Sequence, residues 1–423
     1  MTRGKSMKVT AEIPQFREVE IKASNSTKIK EVKKRICERL GIDEQLTALL
    51  LEGKLLPADA TLSQINLQSR KLTVDYMWAR HLLLWGTSGQ SLIENSRVFL
   101  AGAGAIGNEV AKNLVMLGVR KLVIVDYDLV ETSNLSRTVF FEKSDVGKPK
   151  ADVLSRKLQK NYPYIDSIVY RNRVEDLPTK IYLNSDVIVS GLDNVPSRMH
   201  LASISRRYSI PMVDAGTIGY EIRVQAYIPP DNPCPICLLP PGNYGQMAGL
   251  RNPCTAPLEE MKIPSLPTSM SLVSAIQTQE IAKIILGYDT YLKEKKWPSQ
   301  VGEPLKGVLL IDLRFNRYSK IELNRNPKCL VCGKDGIAKN TVERYEIFLS
   351  ETQNSTLKLQ KRISELSTIK PTEILMFKEI RKRLVPMETE KKLSSYGLHK
   401  GDFLHVVLKN VQDEYSEAVV KLK

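Results

Sequence analysis

Residues 97–109, RVFLAGAGAIGNE, run an apolar strand pattern into a glycine-punctuated turn and then into a helical pattern. Gly102, Gly104 and Gly107 follow the strand-like Val98 to Ala101 and accompany the helical stretch Ile106 to Leu117. Glycines at such a junction let backbone amides approach phosphate oxygens at a helix N-terminus. About 20 residues further on, at the end of a second apolar run from Leu122 to Val125, stands Asp126, placed to hold ribose hydroxyls. A dinucleotide dehydrogenase would fit these residues equally well, and so would a close helix–strand turn that binds nothing.

The next segment discriminates between these readings. Asp128, Asn134, Arg137, Lys148 and Lys150 crowd into the connection after Asp126. Hydride transfer has no need of them, whereas departing pyrophosphate must be met by fixed cations and donors. A solvated charged loop would explain the basic residues but not their company. Strand patterns at 97–101, 122–126, 166–170, 186–190 and 211–214 alternate with helical stretches, which predicts a doubly wound, mostly parallel α/β sheet with ligands at the strand C-termini. Asp193 follows the strand ending at Ser190 and so falls at the same edge.

Together, GAGAIGNE, DYDLVETSNLSR, DVGKPKAD and GLDNVPSR resemble the adenylation domain of ubiquitin-activating enzymes and of their bacterial relatives, the adenylyltransferases of the MoeB/ThiF type. The likeness runs from about Tyr76 to Gly333. It implies that Gly102, Gly104 and Gly107 form the phosphate turn of an ATP site and that Asp126 binds the ribose. Asn134, Arg137 and Lys150 would contact the phosphates, with Lys150 favoured over Lys148 by the Pro-Lys pair. Asp193 would hold magnesium. Arg80, in Trp-Ala-Arg-His, resembles an arginine donated to the partner subunit's ATP, which implies a homodimer.

A chain of 423 residues that is 42% hydrophobic can form two or three domains with real cores. No apolar run approaches the roughly 20 residues that span a bilayer, and MTRGKSMKV lacks the hydrophobic segment of a signal peptide, so a cytosolic, membrane-free protein is expected. The formal charge of +15 is spread along the chain, without a dense basic tail or an aromatic-interleaved patch, which argues against nucleic acid as the partner.

Of six cysteines, four form Cys234-Pro-Ile-Cys237 and Cys329-Leu-Val-Cys332, each pair just after an Asn-Pro. Two such pairs predict one structural, closed tetrathiolate zinc site; a redox dithiol would leave one pair unexplained. Cys37 lies where Val32, Ile36 and Leu40 repeat at helical spacing and reads as a filler. Cys254 lies in Leu-Arg-Asn-Pro-Cys-Thr-Ala-Pro, after Gly242, Gly245 and Gly249 and ahead of a helix expected from near Ser269. Its Pro-Cys-Thr resembles the thioester cysteine of ubiquitin-activating enzymes, although the chain lacks the large inserted cysteine domain of the biggest members.

The flanks complete a three-part division into 1–75, 76–340 and 341–423. Residues 7–75 carry an alternating MKVTAEI, an amphipathic helix to Leu40 and a hairpin turn at Gly53-Lys54, and resemble ubiquitin's β-grasp. They pass into the next domain with no Gly-Gly terminus, as a fused module would. Residues 341–423 follow a looser strand–helix–strand scheme that resembles the C-terminal ubiquitin-fold domain that recruits a conjugating enzyme; a generic α+β appendage fits the pattern nearly as well. The expectation is an enzyme that uses ATP and magnesium to adenylate the C-terminal glycine of a ubiquitin-like protein ending in Gly-Gly, then forms a thioester on Cys254 for transfer to a conjugating enzyme. An adenylyltransferase serving a sulfur carrier competes with it, as does a noncatalytic ubiquitin-like scaffold.

Overall fold

The computed structural model describes residues 6–65, 71–238, 264–380 and 382–423. These divide into two compact units, one built from residues up to 95 with 116–119 and 286–303, the other from 96–115, 120–285 and 304 onward.

The first unit contains a five-stranded sheet of β1 (Ser6–Ile13), β2 (Arg17–Ser24), β3 (Thr47–Leu51), β4 (Lys54–Leu55) and β5 (Leu72–Tyr76), in the order β2-β1-β5-β3-β4. Buried residues recur at every second position along β2 from Val19 and along β3, which gives the sheet one core face. Against it lies α1 (Ile29–Leu40), which buries Ile29, Val32, Ile36, Cys37 and Leu40 and ends on Gly41 in the left-handed conformation. Cys37 is thus a core residue, and burial raises its thiol pKa. α2 (Ala79–Asn95) is broken at Gly86, where φ is 66°.

The second unit is organised around eight strands: β6 (Arg97–Ala101), β7 (Lys121–Val125), β8 (Asp166–Tyr170), β9 (Val187–Ser190), β10 (Met212–Ile218), β11 (Glu221–Tyr227), β12 (Val308–Asp312) and β13 (Arg317–Ile321). Their order is β13-β12-β11-β10-β9-β6-β7-β8. The run from β8 to β10 is parallel, while β10 to β13 are antiparallel. The α/β fold expected from the sequence is therefore present. β11, β12 and β13 are additions that the parallel-strand pattern did not reveal; β13 is exposed at every position and carries no apolar periodicity. Between the strands run α3 (Ala105–Leu117), α4 (Lys150–Asn161), α5 (Thr179–Leu183), α6 (Val195–Tyr208) and the 28-residue α7 (Pro267–Glu294). The order in which successive strands are laid down switches sides between the parallel strands β6 and β9, which opens a crevice at their carboxyl ends.

The same unit includes a C-terminal sheet of β14 (Glu343–Ile347), β15 (Glu373–Ile380), β16 (Arg383–Met387), β17 (Phe403–Lys409) and β18 (Tyr415–Leu422), packed on α8 (Leu349–Thr352) and α9 (Thr356–Leu366). Its order, β14-β18-β17-β15-β16, shares with the N-terminal sheet a parallel pairing of first and last strands. It lacks the hairpin partner of the first strand and inserts β17 beside the last. Phe403 and Val419 enter the apolar cluster that holds Cys234, Cys329 and Cys332. Arg344 donates to the carbonyls of Leu183 and Tyr208, and the Val342 amide to that of Arg207. No helix among the described residues is long and apolar enough to cross a membrane.

Candidate active site

The glycine turn lies in the crevice between β6 and β9. Gly102 has φ +96°, and a Cβ there would stand 3.0 Å from the carbonyl oxygen of Gly191. A Cβ on Gly107 would stand only 2.0 Å from the Gly102 carbonyl oxygen, so this glycine is required by the backbone itself. Gly104 differs: a Cβ there would meet no heavy atom within 4 Å. It faces open space at the turn, as a cradle for an approaching phosphate requires.

Asp126 sits just past β7, and both its carboxylate oxygens accept backbone amides: Oδ2 from Ala103 at 2.7 Å and Oδ1 from Asp128 at 2.8 Å. It therefore fastens the glycine turn to the following connection. Burial pushes its carboxyl above the usual carboxylate range, against the pull of the Ala103 amide and the Lys150 ammonium. Remaining lone pairs on the same oxygens are the ones a ribose hydroxyl could reach.

Lys150 opens α4, and its Nζ lies 2.9 Å from Asp128 Oδ2 while its amide donates to the Asp128 carbonyl at 2.9 Å. Lys148 lies 3.8 Å from the buried Asp145, which also binds Arg156 and Lys157. Of the two lysines, Lys150 is thus the one whose charge is felt at Asp126. Asn134 is buried, with Oδ1 accepting the Glu131 amide at 2.9 Å, and Arg137 donates to the Ser133 carbonyl at 2.6 Å.

Asp193 is exposed two residues after Gly191, whose amide donates to the Ala101 carbonyl at 3.0 Å. Its carboxylate thus lies on the loop that abuts the glycine turn. An exposed carboxylate beside a phosphate cradle suits magnesium, which takes one or two protein carboxylates and fills its shell with phosphate oxygens and water.

Three supports were assigned no role from the sequence, although Asn108 and Arg198 stand inside the GAGAIGNE and GLDNVPSR motifs. Asn108, fully buried in α3, donates to the carbonyls of Ala103 at 2.7 Å and Gly104 at 3.1 Å, holding the glycine turn from behind. Gln277 of α7 donates to the carbonyls of Ser190 and Val213 at 3.0 and 2.9 Å, tying that helix to the strand ends. Arg198 and Arg223 both pair with the fully buried Asp214.

Asp126, Asp128, Lys150, the glycine turn and Asp193 thus meet at one sheet edge. Arg80 belongs to the other unit, exposed on the first turn of α2. Cys254 lies outside the described residues.

The four cysteines Cys234, Cys237, Cys329 and Cys332 place their sulfurs within 4.8 Å of one another. Individual Sγ–Sγ distances of 3.3 to 3.8 Å exceed a disulfide and match the edges of a tetrahedral thiolate site. The Val331 amide points at Cys329 Sγ at 3.4 Å, and Arg325 caps the Cys332 carbonyl. Three of the four sulfurs belong to buried residues, so the cluster suits a structural zinc ion.

Comparison with known proteins identifies the family. Residues 78–331 match the model of the ThiF family, and residues 8–77 that of the Ubiquitin family. The chain is 31% identical over 270 residues to the SAMP-activating enzyme E1 of Haloferax volcanii, covering 62% of this chain and 89% of the relative. It is 29% identical over 274 residues to the sulfur carrier protein adenylyltransferase of Thermus thermophilus, covering 62% and 91%. Ubiquitin-like modifier-activating enzyme 1 of Homo sapiens is 32% identical over 178 residues, 37% of this chain and 17% of that protein. Among solved structures, E. coli MccB with ATP aligns over 61% of this chain and 75% of its own at 22% identity and a TM-score of 0.48. With a ThiF match across more than half its length, this chain belongs to the ThiF family, as an E1-like adenylating domain with a ubiquitin-like domain at its N-terminal side.

Proposed function

We propose that this protein activates a ubiquitin-like protein. The C-terminal glycine carboxylate of that protein attacks the α-phosphorus of ATP, expelling pyrophosphate and leaving an acyl-adenylate. Lys150 and Arg137 offset charge on the phosphates, and the carboxylate is itself the nucleophile, so no histidine base is needed. Asn134 contributes a phosphate contact, Asp126 holds the ribose, and Asp193 holds magnesium. The Cys254 thiolate then attacks the acyl carbon, releasing AMP and forming a thioester that passes to a conjugating enzyme recruited by the C-terminal sheet. Arg80 is donated to the nucleotide of a second copy in a homodimer. The observation that carries this reading is the convergence of the glycine turn, the Asp126–Lys150–Asp128 group and the Gly191–Asp193 loop on one sheet edge.

A second reading is favoured by the Thermus thermophilus relative, whose name makes it an adenylyltransferase of a sulfur carrier protein. Both readings share the first step. Incubating the protein with ATP, magnesium and a carrier ending in Gly-Gly, followed by intact-mass measurement, separates them. A thiol-labile, protein-sized adduct that vanishes in Cys254→Ser, while ATP–pyrophosphate exchange persists in that variant, is expected. A thiocarboxylate product that forms only with a sulfur donor and survives Cys254→Ser would replace the thioester reading.

A further inference from the structure

Asp214 is fully buried in the carboxyl half of the parallel stretch and carries two guanidinium groups, Arg198 on Oδ1 at 2.5 Å and Arg223 on Oδ2. One arginine would neutralise the carboxylate, so the second asks for another explanation. The two differ in what else they touch. Arg223 gives its Nη2 to Asp214, whereas Nη2 of Arg198 donates to the carbonyls of Leu192 and Ala215, the latter at 3.0 Å. Gly216 leaves the space for this, since a Cβ there would stand 2.9 Å from that nitrogen.

Leu192 immediately precedes Asp193, and Asn194, immediately after it, caps α6 by accepting the Ser197 amide at 2.9 Å. The backbone on each side of Asp193 is therefore tied down, on one side by Arg198 and on the other by the helix that carries Arg198. We infer that Arg198 is a positioning residue that, clamped by Asp214, fixes the Leu192–Asn194 backbone so that the Asp193 carboxylate meets the divalent cation of the bound nucleotide. This rests on the assignment of Asp193 as the magnesium ligand proposed above. Supporting groups behind metal ligands commonly shift affinity about 10- to 100-fold when removed.

The test uses the full chain with a non-hydrolysable ATP analogue and Mn²⁺ as the probe, free Mn²⁺ being read by electron paramagnetic resonance. Arg198→Met is expected to weaken Mn²⁺ binding about tenfold or more, with analogue affinity in the absence of metal altered less than about twofold. Arg198→Lys keeps the ion pair to Asp214 but cannot hold both carbonyls, and is expected to fall between wild type and Arg198→Met, which covers the case in which the methionine variant does not fold. Arg223→Met breaks the same buried pair without touching the loop; it is expected to lower the melting temperature and leave the Mn²⁺ midpoint in place. Equal Mn²⁺ shifts in Arg198→Met and Arg223→Met, or a shift in Asp193→Asn with none in either Arg198 variant, overturns the positioning role alone. An unchanged midpoint in Asp193→Asn removes the ligand assignment and the inference with it.

Discussion

The glycine turn and the four-cysteine cluster belong to the same unit, yet they are built on opposite plans. At the cluster, donors already point at one another, apolar neighbours close around them, and Phe403 and Val419 of the C-terminal sheet join the same core. At the turn, polar groups are tied together behind the backbone while Gly104 leaves the front open. A resident ion needs the first arrangement, since every thiolate left without it would be a buried charge. A ligand that must enter, react and leave needs the second.

Removing the metal should have the largest effect. Stripping zinc with a chelator, or making Cys332→Ser, is expected to lower the melting temperature by about 10 °C or more, and zinc retained by the protein should fall in parallel in elemental analysis. An unchanged melting curve with no bound metal would erase the contrast, leaving the cluster as four core thiols.

Next in size are the glycines. In Gly107→Ala the new methyl meets a backbone oxygen 2.0 Å from its carbon, so both folding and ATP affinity should suffer, the affinity by about 100-fold. Gly104→Ala sharpens the comparison, because nothing in the protein stands within 4 Å of the added carbon. Its melting temperature should match wild type while calorimetric ATP affinity drops; equal affinity would show that phosphate does not approach there.

The smallest effect concerns pH. Because burial holds the Asp126 carboxyl above its ordinary range, its ionised form is lost on acidification earlier than an exposed aspartate's would be. ATP affinity should therefore decline severalfold as pH falls through that raised value, and Asp126→Asn should flatten the profile. For the fold alone the sign is reversed: the protonated form is the one burial favours, so the contribution to stability is complete below the unfolded-state pKa and is lost as pH rises through the raised one.

What could be read from the chain follows from how local each signal is. Gly102, Gly107 and Asp126 stand at spacings set by one strand–helix–strand passage, and the two cysteine pairs each sit on a short turn, so periodicity and spacing exposed them. Asn108 stood inside the GAGAIGNE motif but its role was hidden, because its bonds to Ala103 and Gly104 depend on the fold of the turn. Gln277, Asp214 and Arg223 were silent, and Arg198, though it closes GLDNVPSR, had no role assigned: their partners come together only once β9, β10 and β11 lie side by side. The antiparallel strands were hidden for another reason. β13 has no buried residue, so no alternation marks it, and its existence rests on backbone pairing with β12.

The chain looks modular, a string of small domains that could be exchanged, but its last sheet is not a detachable part. Arg207 and Tyr208, at the end of α6, have their carbonyls taken by Val342 and Arg344, and α6 begins at the loop that bears Asp193. Cutting the chain near residue 340 would uncap the far end of that helix and unroof the cysteine core in one stroke. Whatever segment was exchanged for this sheet in a hybrid protein would inherit both duties, so inheritance of the C-terminal region and upkeep of the nucleotide end are mechanically linked.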